Sequence, residues 1–561
     1  MHGRSSLIAS VAALALLLVA CGDPSTPTTT SGAEERPNVL LILADDLGYT
    51  DLGSFGGEID TPNLDALAFS GLRLANFHMA PTCAPSRAML LTGADNHIAG
   101  LGTQENLVTE RQMGKPGYEQ YMTDRVVSVA TLLSEGGYRT YLSGKWHLGV
   151  TPETSPGARG FERWFSLMQG GGSHFDESGI SPRDPVVVYQ DQGVQVSLPS
   201  NFYSSDYFTS NLIDMLSVDS GQADPFFAFL SFTAPHWPLH APDDLIEKYA
   251  GRYSQGYEKL RRDRIERATE LGLFEPDILI AQPIRTLVSW DELTPEQRQV
   301  QRRKMAVHAA MVDRLDWNVG RLLEFLEARR LRENTVIIFL SDNGAEGHLL
   351  EEYPTYVDWL EENYDNRYEN IGRQGSFSSL GAGWAHAANG PLRLFKGYLS
   401  EGGTRVSAFI NRPGMETAGK ISHAYVTAMD FAPTVLEMAG LERPERTHGG
   451  IAVQEMDGSS FVGLLADHER RVHPETEPIS WELLGRRAVQ RGRWKLAWLH
   501  EPLGNDEWEL FDLKADPGET TDLSVQFPKV RESMIGDWER YAEANGVILP
   551  ERLLRYPSAG E

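Results

Sequence analysis

The stretch NVLLILADD, residues 38–46, decides the fold. Its apolar residues follow one another without the alternation of a half-exposed strand, so residues 38–44 are predicted to form a strand buried on both faces, as in a parallel sheet. Two acidic residues, Asp45 and Asp46, come directly after it. Ligands of open α/β sheets bind beyond the carboxyl ends of the strands, so the stretch predicts a binding site as well as a strand.

Other stretches along the chain continue this pattern. The predicted strands are 138–143, 225–232 and 334–340, and the predicted helices are 62–72, 85–91, 126–135, 206–216, 431–439 and much of 245–330. Strands that alternate with helices predict an α/β fold, in which a large, mainly parallel or mixed sheet is sandwiched by helices.

From about residue 485 the sequence pattern changes to short predicted strands around polar turns. Residues 488–499 and 508–513 are predicted as short strands and residues 528–544 as a helix, which indicates a smaller C-terminal α+β domain with an antiparallel sheet. A chain of 561 residues is long enough for two domains, which we place at 37–450 and 451–561. The polar, aromatic segment 351–388 is predicted to be a loop near a site.

The N-terminal residues have the pattern of an export signal. Arg4 precedes an apolar run, residues 7–20, which is shorter than the roughly 20 residues that span a bilayer. The run ends in LVAC, which resembles the lipobox of bacterial lipoproteins. We expect a lipoprotein signal peptide at 1–20, lipidation of Cys21, a flexible tether at 21–36 and a place in the bacterial cell envelope or periplasm. The alternative is an ordinary signal with a chance cysteine.

The net charge limits the class of partner. The formal charge is −27, which argues against nucleic acid, since nucleic-acid binding favours a basic face. The membrane is expected as a partner only through the N-terminal lipid. An anionic substrate would have to meet a local cluster of lysine, arginine and metal.

Oxygen-bearing side chains follow two of the predicted strands. Asp45 and Asp46 follow the first, and Asp342 and Asn343 follow the strand at 334–340. Three carboxylates at one sheet edge would repel one another without a cation, and oxygen ligands favour Ca²⁺ or Mg²⁺ over Zn²⁺. The alternative is that each aspartate caps a following turn or helix.

Titratable groups follow two further strands. Lys145 and His147 come after residues 138–143, and His236 comes after residues 225–232. A histidine at this edge can act as a general acid or base near neutral pH, although a structural histidine is the alternative at each position. Lys396 has no such context, so by itself it is expected to be a solvated lysine.

Cys83 begins the stretch CAPSRAMLLTG, residues 83–93, and is one of two cysteines in the chain. If Cys21 carries lipid, no intramolecular disulfide can form, and a buried apolar role is the default for Cys83. The stretch resembles the hallmark of the formylglycine-dependent sulfatases, within the alkaline phosphatase superfamily. Residues 137–147 resemble that family's second signature, residues 236–253 the bacterial arylsulfatases, and residues 509–523 the family's smaller domain.

The resemblance implies that Cys83 is oxidised to formylglycine (3-oxoalanine) by a maturation enzyme that reads Pro85 and Arg87. The aldehyde would hydrate to a diol, in which one hydroxyl attacks sulfur and the other lets the resulting ester break down. One divalent cation, expected to be Ca²⁺ with Mg²⁺ as the alternative, would be held by Asp45, Asp46, Cys83, Asp342 and Asn343.

The resemblance also implies roles for the basic residues. Arg87 would hold the diol and the neighbouring carboxylates. Lys145 and Lys396 would bind sulfate oxygens, where negative charge must be stabilised. His236, together with Lys396, would protonate the leaving oxygen, and His147 would take a proton when sulfate is expelled.

We therefore expect hydrolysis of sulfate esters, aryl sulfates by resemblance. One alternative keeps the site but cleaves phosphonate monoesters or phosphodiesters. Another is a non-catalytic envelope lipoprotein that binds sulfated glycans, although no core catalytic position departs from the family pattern. The residues that recognise the organic part of the substrate are expected within 95–125, 170–210 and 345–390.

Overall fold

The computed structural model describes residues 36–104, 107–218 and 224–552. The predicted signal peptide, Cys21 and the tether up to residue 35 lie outside the described residues. Within the described ranges, no helix is both long and apolar enough to cross a membrane.

The strands of the described residues run throughout the chain. In chain order they are β1 Asn38–Asp45, β2 Leu72–Leu74, β3 Phe77–His78, β4 Arg139–Lys145, β5 Arg163–Leu167, β6 Ser178–Ser181, β7 Asp184–Val186, β8 Tyr189–Asp191, β9 Val194–Val196, β10 Phe226–Pro235, β11 Thr335–Ser341, β12 Arg405–Val406, β13 Ala408–Asn411, β14 Ile421–Ser422, β15 Val426–Thr427, β16 Thr447–His448, β17 Ile451–Ala452, β18 Ile479–Leu483, β19 Arg486–Arg491, β20 Trp494–Trp498 and β21 Trp508–Asp512.

The helices lie mostly between these strands. In chain order they are α1 Pro62–Ser70, α2 Cys83–Thr92, α3 Asn96–Ala99, α4 Val129–Glu135, α5 Ser204–Val218, α6 Asp243–Tyr249, α7 Tyr257–Glu270, α8 Pro295–Ala328, α9 Pro354–Asn363, α10 Ala382–Ala388, α11 Glu401–Thr404, α12 Phe431–Ala439 and α13 Pro528–Ala544.

One large sheet of ten strands forms the centre of the molecule, in the order β14-β2-β13-β11-β1-β10-β4-β5-β8-β9. Its middle strands, from β11 through β1, β10 and β4 to β5, are parallel. β13 and β8 pair antiparallel on either side, so the sheet is mixed. The predicted α/β fold with a large, mainly parallel or mixed sheet is confirmed.

The parallel strands are buried because their side chains pack on both faces. Every residue of β1, β10 and β11 is buried. In the central register, Leu41 of β1 lies between Phe229 of β10 and Ile338 of β11. The parallel alignment brings the carboxyl ends of these strands to one edge of the sheet, which positions the site described below.

The C-terminal part contains a second, antiparallel sheet in the order β18-β19-β20-β21. Helix α13 covers it, with Met534 and Trp538 packing against Val489, Leu496 and Leu510. The predicted antiparallel C-terminal sheet is confirmed, whereas the domain boundary at residues 450 and 451 stays a prediction.

A buried ion network joins this C-terminal part to the segment after α2. The ring of His97 contacts Asp95 and Glu482, with nitrogen–oxygen distances of 3.0 Å to each. The hydroxyl of Tyr541 in α13 donates a hydrogen bond to Asp95. Burial disfavours the charged imidazole, but the two carboxylates prevail and raise the pKa of His97 to about 9.

The prediction of a loop over residues 351–388 is wrong in part. The segment contains α9 and α10. In α9, Pro354 occupies the first turn, and Tyr356 and Leu360, four residues apart, bury the same face. The helix packs beside Trp237 and Phe377, next to the strand end of β10.

Candidate active site

Four parallel strands place five of the predicted site residues at one edge of the sheet. Asp45 is the last residue of β1 and Asp46 follows it, Lys145 ends β4, His236 follows β10 and Asp342 follows β11. All five side chains are buried. They are therefore held inside the protein by the strands that precede them, and are not solvated caps of surface turns.

Cys83 lies among these acids at the first residue of α2. Its thiol donates to Oδ1 of Asp45 at 3.3 Å and lies 4.0 Å from Oδ1 of Asp46. Ligand-type atoms of Asp45, Asp46, Cys83 and His236 all lie within 4.8 Å of one another. Asp342 adjoins this group, because its Oδ1 accepts a hydrogen bond from the amide of Asp46 at 3.3 Å.

The donor set fits a divalent cation. Burial and the neighbouring carboxylates, opposed by Lys396, raise the pKa of Asp46 to about 8, so the acids cannot all stay charged at neutral pH without a further positive charge. Oδ1 of Asn343 is buried and has no hydrogen-bond partner among the described residues. An orphaned amide oxygen beside crowded carboxylates suits a cation that prefers oxygen ligands.

Three basic side chains balance the acids. Nζ of Lys145 lies 2.7 Å from Oδ2 of Asp45, and Nζ of Lys396 lies 2.7 Å from Oδ1 of Asp46. Arg87 donates from Nε and Nη2 to Oδ2 of Asp342, at 3.0 and 2.9 Å. The expectation of a solvated Lys396, made from its local sequence alone, is wrong, because the side chain is completely buried.

Arg87 is also fixed from its other side. Its Nη1 donates to Oγ of Ser231 at 2.6 Å and to the carbonyl oxygen of Lys145 at 3.1 Å. The guanidinium thus ties α2 to β10, to β4 and to the residue after β11. A planar fork with donors on two sides is needed for this, which lysine cannot supply.

The unmodified thiol of Cys83 is a poor nucleophile in this place. Burial and the charge of Asp342 raise its pKa well above the usual value, although Lys145 and Lys396 act in the opposite direction. The thiolate is the reactive form of cysteine, so the side chain stays protonated near neutral pH.

Two of the site residues adopt a left-handed backbone conformation. The φ angles are 67° at Asp46 and 60° at His147. Residues other than glycine rarely occupy this region, and such positions occur where a side chain must be aimed at a site.

The two histidines lie against a run of glycines. A Cβ added to Gly170 would lie 2.6 Å from Nε2 of His147, and one added to Gly171 would lie 3.2 Å from Cε1 of His236. Nδ1 of His236 donates to the carbonyl oxygen of Trp237 at 2.6 Å, which leaves Nε2, 3.6 Å from Oδ2 of Asp46, facing the acids. Burial and the nearby lysines lower the pKa of both histidines well below the usual value.

Comparisons with known proteins identify the family. Residues 37–441 match the family model described as Sulfatase. The chain belongs to the sulfatase family. Residues 392–535 of this sulfatase also match the model described as N-sulphoglucosamine sulphohydrolase, C-terminal.

Relatives and solved structures agree with this. The sulfatase is 42% identical over 527 residues to an uncharacterized sulfatase of Schizosaccharomyces pombe, covering 92% of this chain and 95% of that protein. It is 40% identical over 439 residues to an arylsulfatase of Klebsiella aerogenes, covering 77% of this chain and 92% of that protein. The crystal structure of Ps i-CgsB in complex with k-i-k-neocarrahexaose superimposes with a TM-score of 0.65 at 25% identity, covering 91% and 93% of the two chains.

This sulfatase is therefore a sulfate ester hydrolase, as the resemblance in the sequence implied. The structure brings together all the predicted residues of the site: Asp45, Asp46, Cys83, Arg87, Lys145, His147, His236, Asp342, Asn343 and Lys396. The role of each one, and the identity of the cation, stay predictions.

Several residues of the sulfatase site were not found from the sequence. Ser231 holds Arg87, Gly170 adjoins His147, and Nε2 of His174 donates to the carbonyl oxygen of His236 at 3.0 Å. Glu346 lies 3.7 Å from Lys396. The run of three glycines at 170–172 was a signal for close packing, whereas the other contacts join distant parts of the chain and leave no local pattern.

Proposed function

We propose that the protein hydrolyses aryl sulfate esters with an oxidised form of Cys83 and one divalent cation, Ca²⁺ in preference to Mg²⁺. The observation that carries the proposal is the position of Cys83, buried at the first turn of α2 between Asp45 and Asp46. A thiol with a raised pKa is unsuited to attack there, whereas a formylglycine hydrate beside a cation would supply an activated hydroxyl.

The basic residues suit the binding of a sulfate group. Lys145 forms an ion pair with Asp45, and Lys396 forms one with Asp46. A cation held by the two aspartates would compete for those carboxylates, which would leave both ammonium groups to donate to sulfate oxygens. The amide groups at the start of α2 add partial positive charge at the same place.

The two histidines suit the two proton transfers. His236 has its Nδ1 proton committed to Trp237, so Nε2 is the atom that can hand a proton to the leaving oxygen. A bound anion would offset the lysines that lower its pKa, which favours the protonated imidazole when substrate is present. His147, whose lowered pKa keeps it neutral, suits the acceptance of a proton as sulfate departs.

A buried aromatic cluster beside His236 supports an aryl leaving group, for which it would form an apolar wall. The ring of Trp237 lies tilted against that of His236 with centroids 4.4 Å apart, and the ring of Phe377 lies 5.8 Å from that of Trp237. Tyr356 and Leu360 of α9 extend this apolar cluster. Aromatic rings pack favourably beside other aromatic rings, and the name of the Klebsiella aerogenes relative points to the same substrate class.

The test compares variants of the two cysteines. Cys83→Ala should abolish hydrolysis of 4-nitrophenyl sulfate with an unchanged circular dichroism spectrum and melting temperature. Cys21→Ser is the matched control and should keep full activity in detergent-solubilised protein. Full activity of Cys83→Ala would refute the proposal.

A panel of esters tests the substrate class. Aryl sulfates should be cleaved faster than alkyl and carbohydrate sulfates, and aryl phosphates, phosphonate monoesters and phosphodiesters more slowly still. A preference for carbohydrate sulfates would keep the sulfate ester chemistry and overturn the aryl assignment. A preference of tenfold or more for a phosphorus ester would overturn both.

We also propose that the protein is lipid-anchored through Cys21 in the bacterial cell envelope and that a maturation enzyme oxidises Cys83. Only the sequence supports these two proposals: the apolar run that ends at Cys21 supports the anchor, and the CAPSR stretch supports the oxidation of Cys83. Wild-type protein should partition into detergent with the membrane fraction, and Cys21→Ser should stay in the aqueous phase. Equal partition of the two would contradict the anchor.

A further inference from the structure

Glu346 is a buried acid beside the site that the proposed reaction does not use. Its side chain is 3% exposed, and its Oε2 lies 3.7 Å from Nζ of Lys396. Oε2 accepts no hydrogen bond from any described residue. A buried carboxylate oxygen that lacks a donor is costly, so its presence next to a sulfate-binding lysine calls for a reason.

His348 holds the carboxylate in its ionised form. Its Nδ1 lies 2.6 Å from Oε1 of Glu346, and its amide donates to the same oxygen at 2.7 Å. Burial opposes the charge, but His348 and Lys396 prevail and lower the pKa of Glu346 to about 2. The site therefore contains an ionised carboxylate near neutral pH, whose Oε2 faces Lys396.

Glu346 adds a carboxylate beside the groups that would meet the substrate. The three acids Asp45, Asp46 and Asp342 are matched by Arg87, Lys145 and Lys396. A divalent cation would add two positive charges, and Oε2 of Glu346, which faces Lys396, offsets part of this excess. A sulfate monoester brings one negative charge next to this oxygen, whereas a phosphate monoester brings close to two and would be repelled more strongly inside a buried site.

We propose that Glu346 is a specificity-determining residue, whose charge makes the site prefer singly charged sulfate esters over doubly charged phosphate monoesters. The inference rests on the proposed function, in which Lys396 binds the anionic group. Glu346 acts through its field on the substrate and through Lys396, so removal of its charge should help a dianion more than a monoanion.

The experiment compares Glu346→Gln with Glu346→Asp, which keeps the charge. For each variant, kcat/KM is measured with 4-nitrophenyl sulfate and with 4-nitrophenyl phosphate, and the phosphate ester is also measured as a competitive inhibitor of sulfate hydrolysis. Protein is compared at equal content of oxidised residue 83 and of bound cation. Glu346→Gln should shift the sulfate-to-phosphate ratio at least tenfold toward phosphate, and Glu346→Asp should stay near wild type.

A second measurement uses only wild-type protein, in case Glu346→Gln does not fold. The inhibition constant of an aryl phosphate monoester is divided by that of an aryl methyl phosphodiester, from pH 5 to pH 8. The monoester gains its second charge near pH 6, whereas the diester keeps one charge throughout. The ratio should rise with pH, because the dianion is rejected.

The outcomes separate this inference from the proposed function. An unchanged ratio in Glu346→Gln, an equal shift in Glu346→Asp, or a wild-type inhibition ratio that falls with pH would overturn the role of Glu346 while sulfate hydrolysis stands. Wild-type protein with verified oxidised residue 83 that fails to cleave any sulfate ester would overturn the proposed function itself.

Discussion

A single methyl group at Gly170 should separate the two proton transfers of the reaction. A Cβ at this position would lie 2.6 Å from both Cε1 and Nε2 of His147, whereas ordinary contacts begin near 3.4 Å. The imidazole must therefore retreat by about 0.8 Å, and its own left-handed backbone, with φ at 60°, gives it little freedom to compensate. A displacement of about 1 Å costs on the order of a hundredfold in a catalysed step.

The affected step should be the departure of sulfate. If His147 takes a proton only when sulfate departs, Gly170→Ala should lower kcat for 4-nitrophenyl sulfate by about a hundredfold and leave kcat/KM within a few-fold of wild type. Stopped-flow absorbance should show a burst of about one equivalent of nitrophenol per active site, followed by slow turnover.

Gly536→Ala is the matched control for Gly170→Ala. Gly536 lies within α13, where an added Cβ would lie 3.4 Å from the end of Arg540. Alanine is favoured over glycine in a helix by about 1 kcal/mol, so this variant should keep its activity and unfold at the same or a higher temperature. Equal losses of kcat and kcat/KM in Gly170→Ala, without a burst, would refute the role of His147 in sulfate departure.

Three further predictions concern charge. Arg87→Lys keeps the positive charge but loses the forked donation to Asp342, so the free energy of unfolding should fall by about 2 kcal/mol in urea titrations. No loss would contradict this role of Arg87. The pKa of His97 is raised from 6.5 to about 9, so protonated His97 contributes about 3 kcal/mol to the free energy of unfolding below pH 6.5, and this contribution is lost as the pH rises to 9. His97→Gln should remove this pH dependence of the free energy of unfolding, and an unaltered pH dependence would contradict the role of His97. The pKa of Asp46 is raised to about 8 before a cation binds, so a cation must displace a proton from Asp46 at lower pH. The cation affinity measured by calorimetry should therefore increase from pH 6 to pH 8, with release of up to about one proton. An affinity that does not change with pH would count against the group of Asp45, Asp46 and Asp342 as the cation site.

The parts of the fold that follow from local patterns could be predicted from the sequence. The apolar runs predict β1, β10 and β11 because strands buried on both faces need apolar side chains on both faces. Asp45 and Asp342 could be placed at one sheet edge because they lie at the carboxyl ends of two such strands. Helix α9 was missed, although Pro354 in its first turn and the pair Tyr356 and Leu360 were a signal for it.

The contacts between distant segments could not be predicted in this way. Lys396 has no strand before it, and only the family resemblance marked it. In the sequence, Glu346 cannot be told from a surface acid, because only its contacts with His348 and Lys396 mark it as part of the site. Ser231 is likewise marked only by its hydrogen bond with Arg87. Such pairings depend on how loops pack over the sheet edge, which no local periodicity records.

The central claim is that residue 83 acts as an aldehyde and not as a thiol. Its most direct test is mass spectrometry of the peptide containing residue 83, taken from wild-type protein that actively cleaves an aryl sulfate. We predict a mass in which an aldehyde replaces the thiol of Cys83, in proportion to the specific activity of each preparation. Full activity in protein whose residue 83 is entirely unmodified cysteine would contradict it.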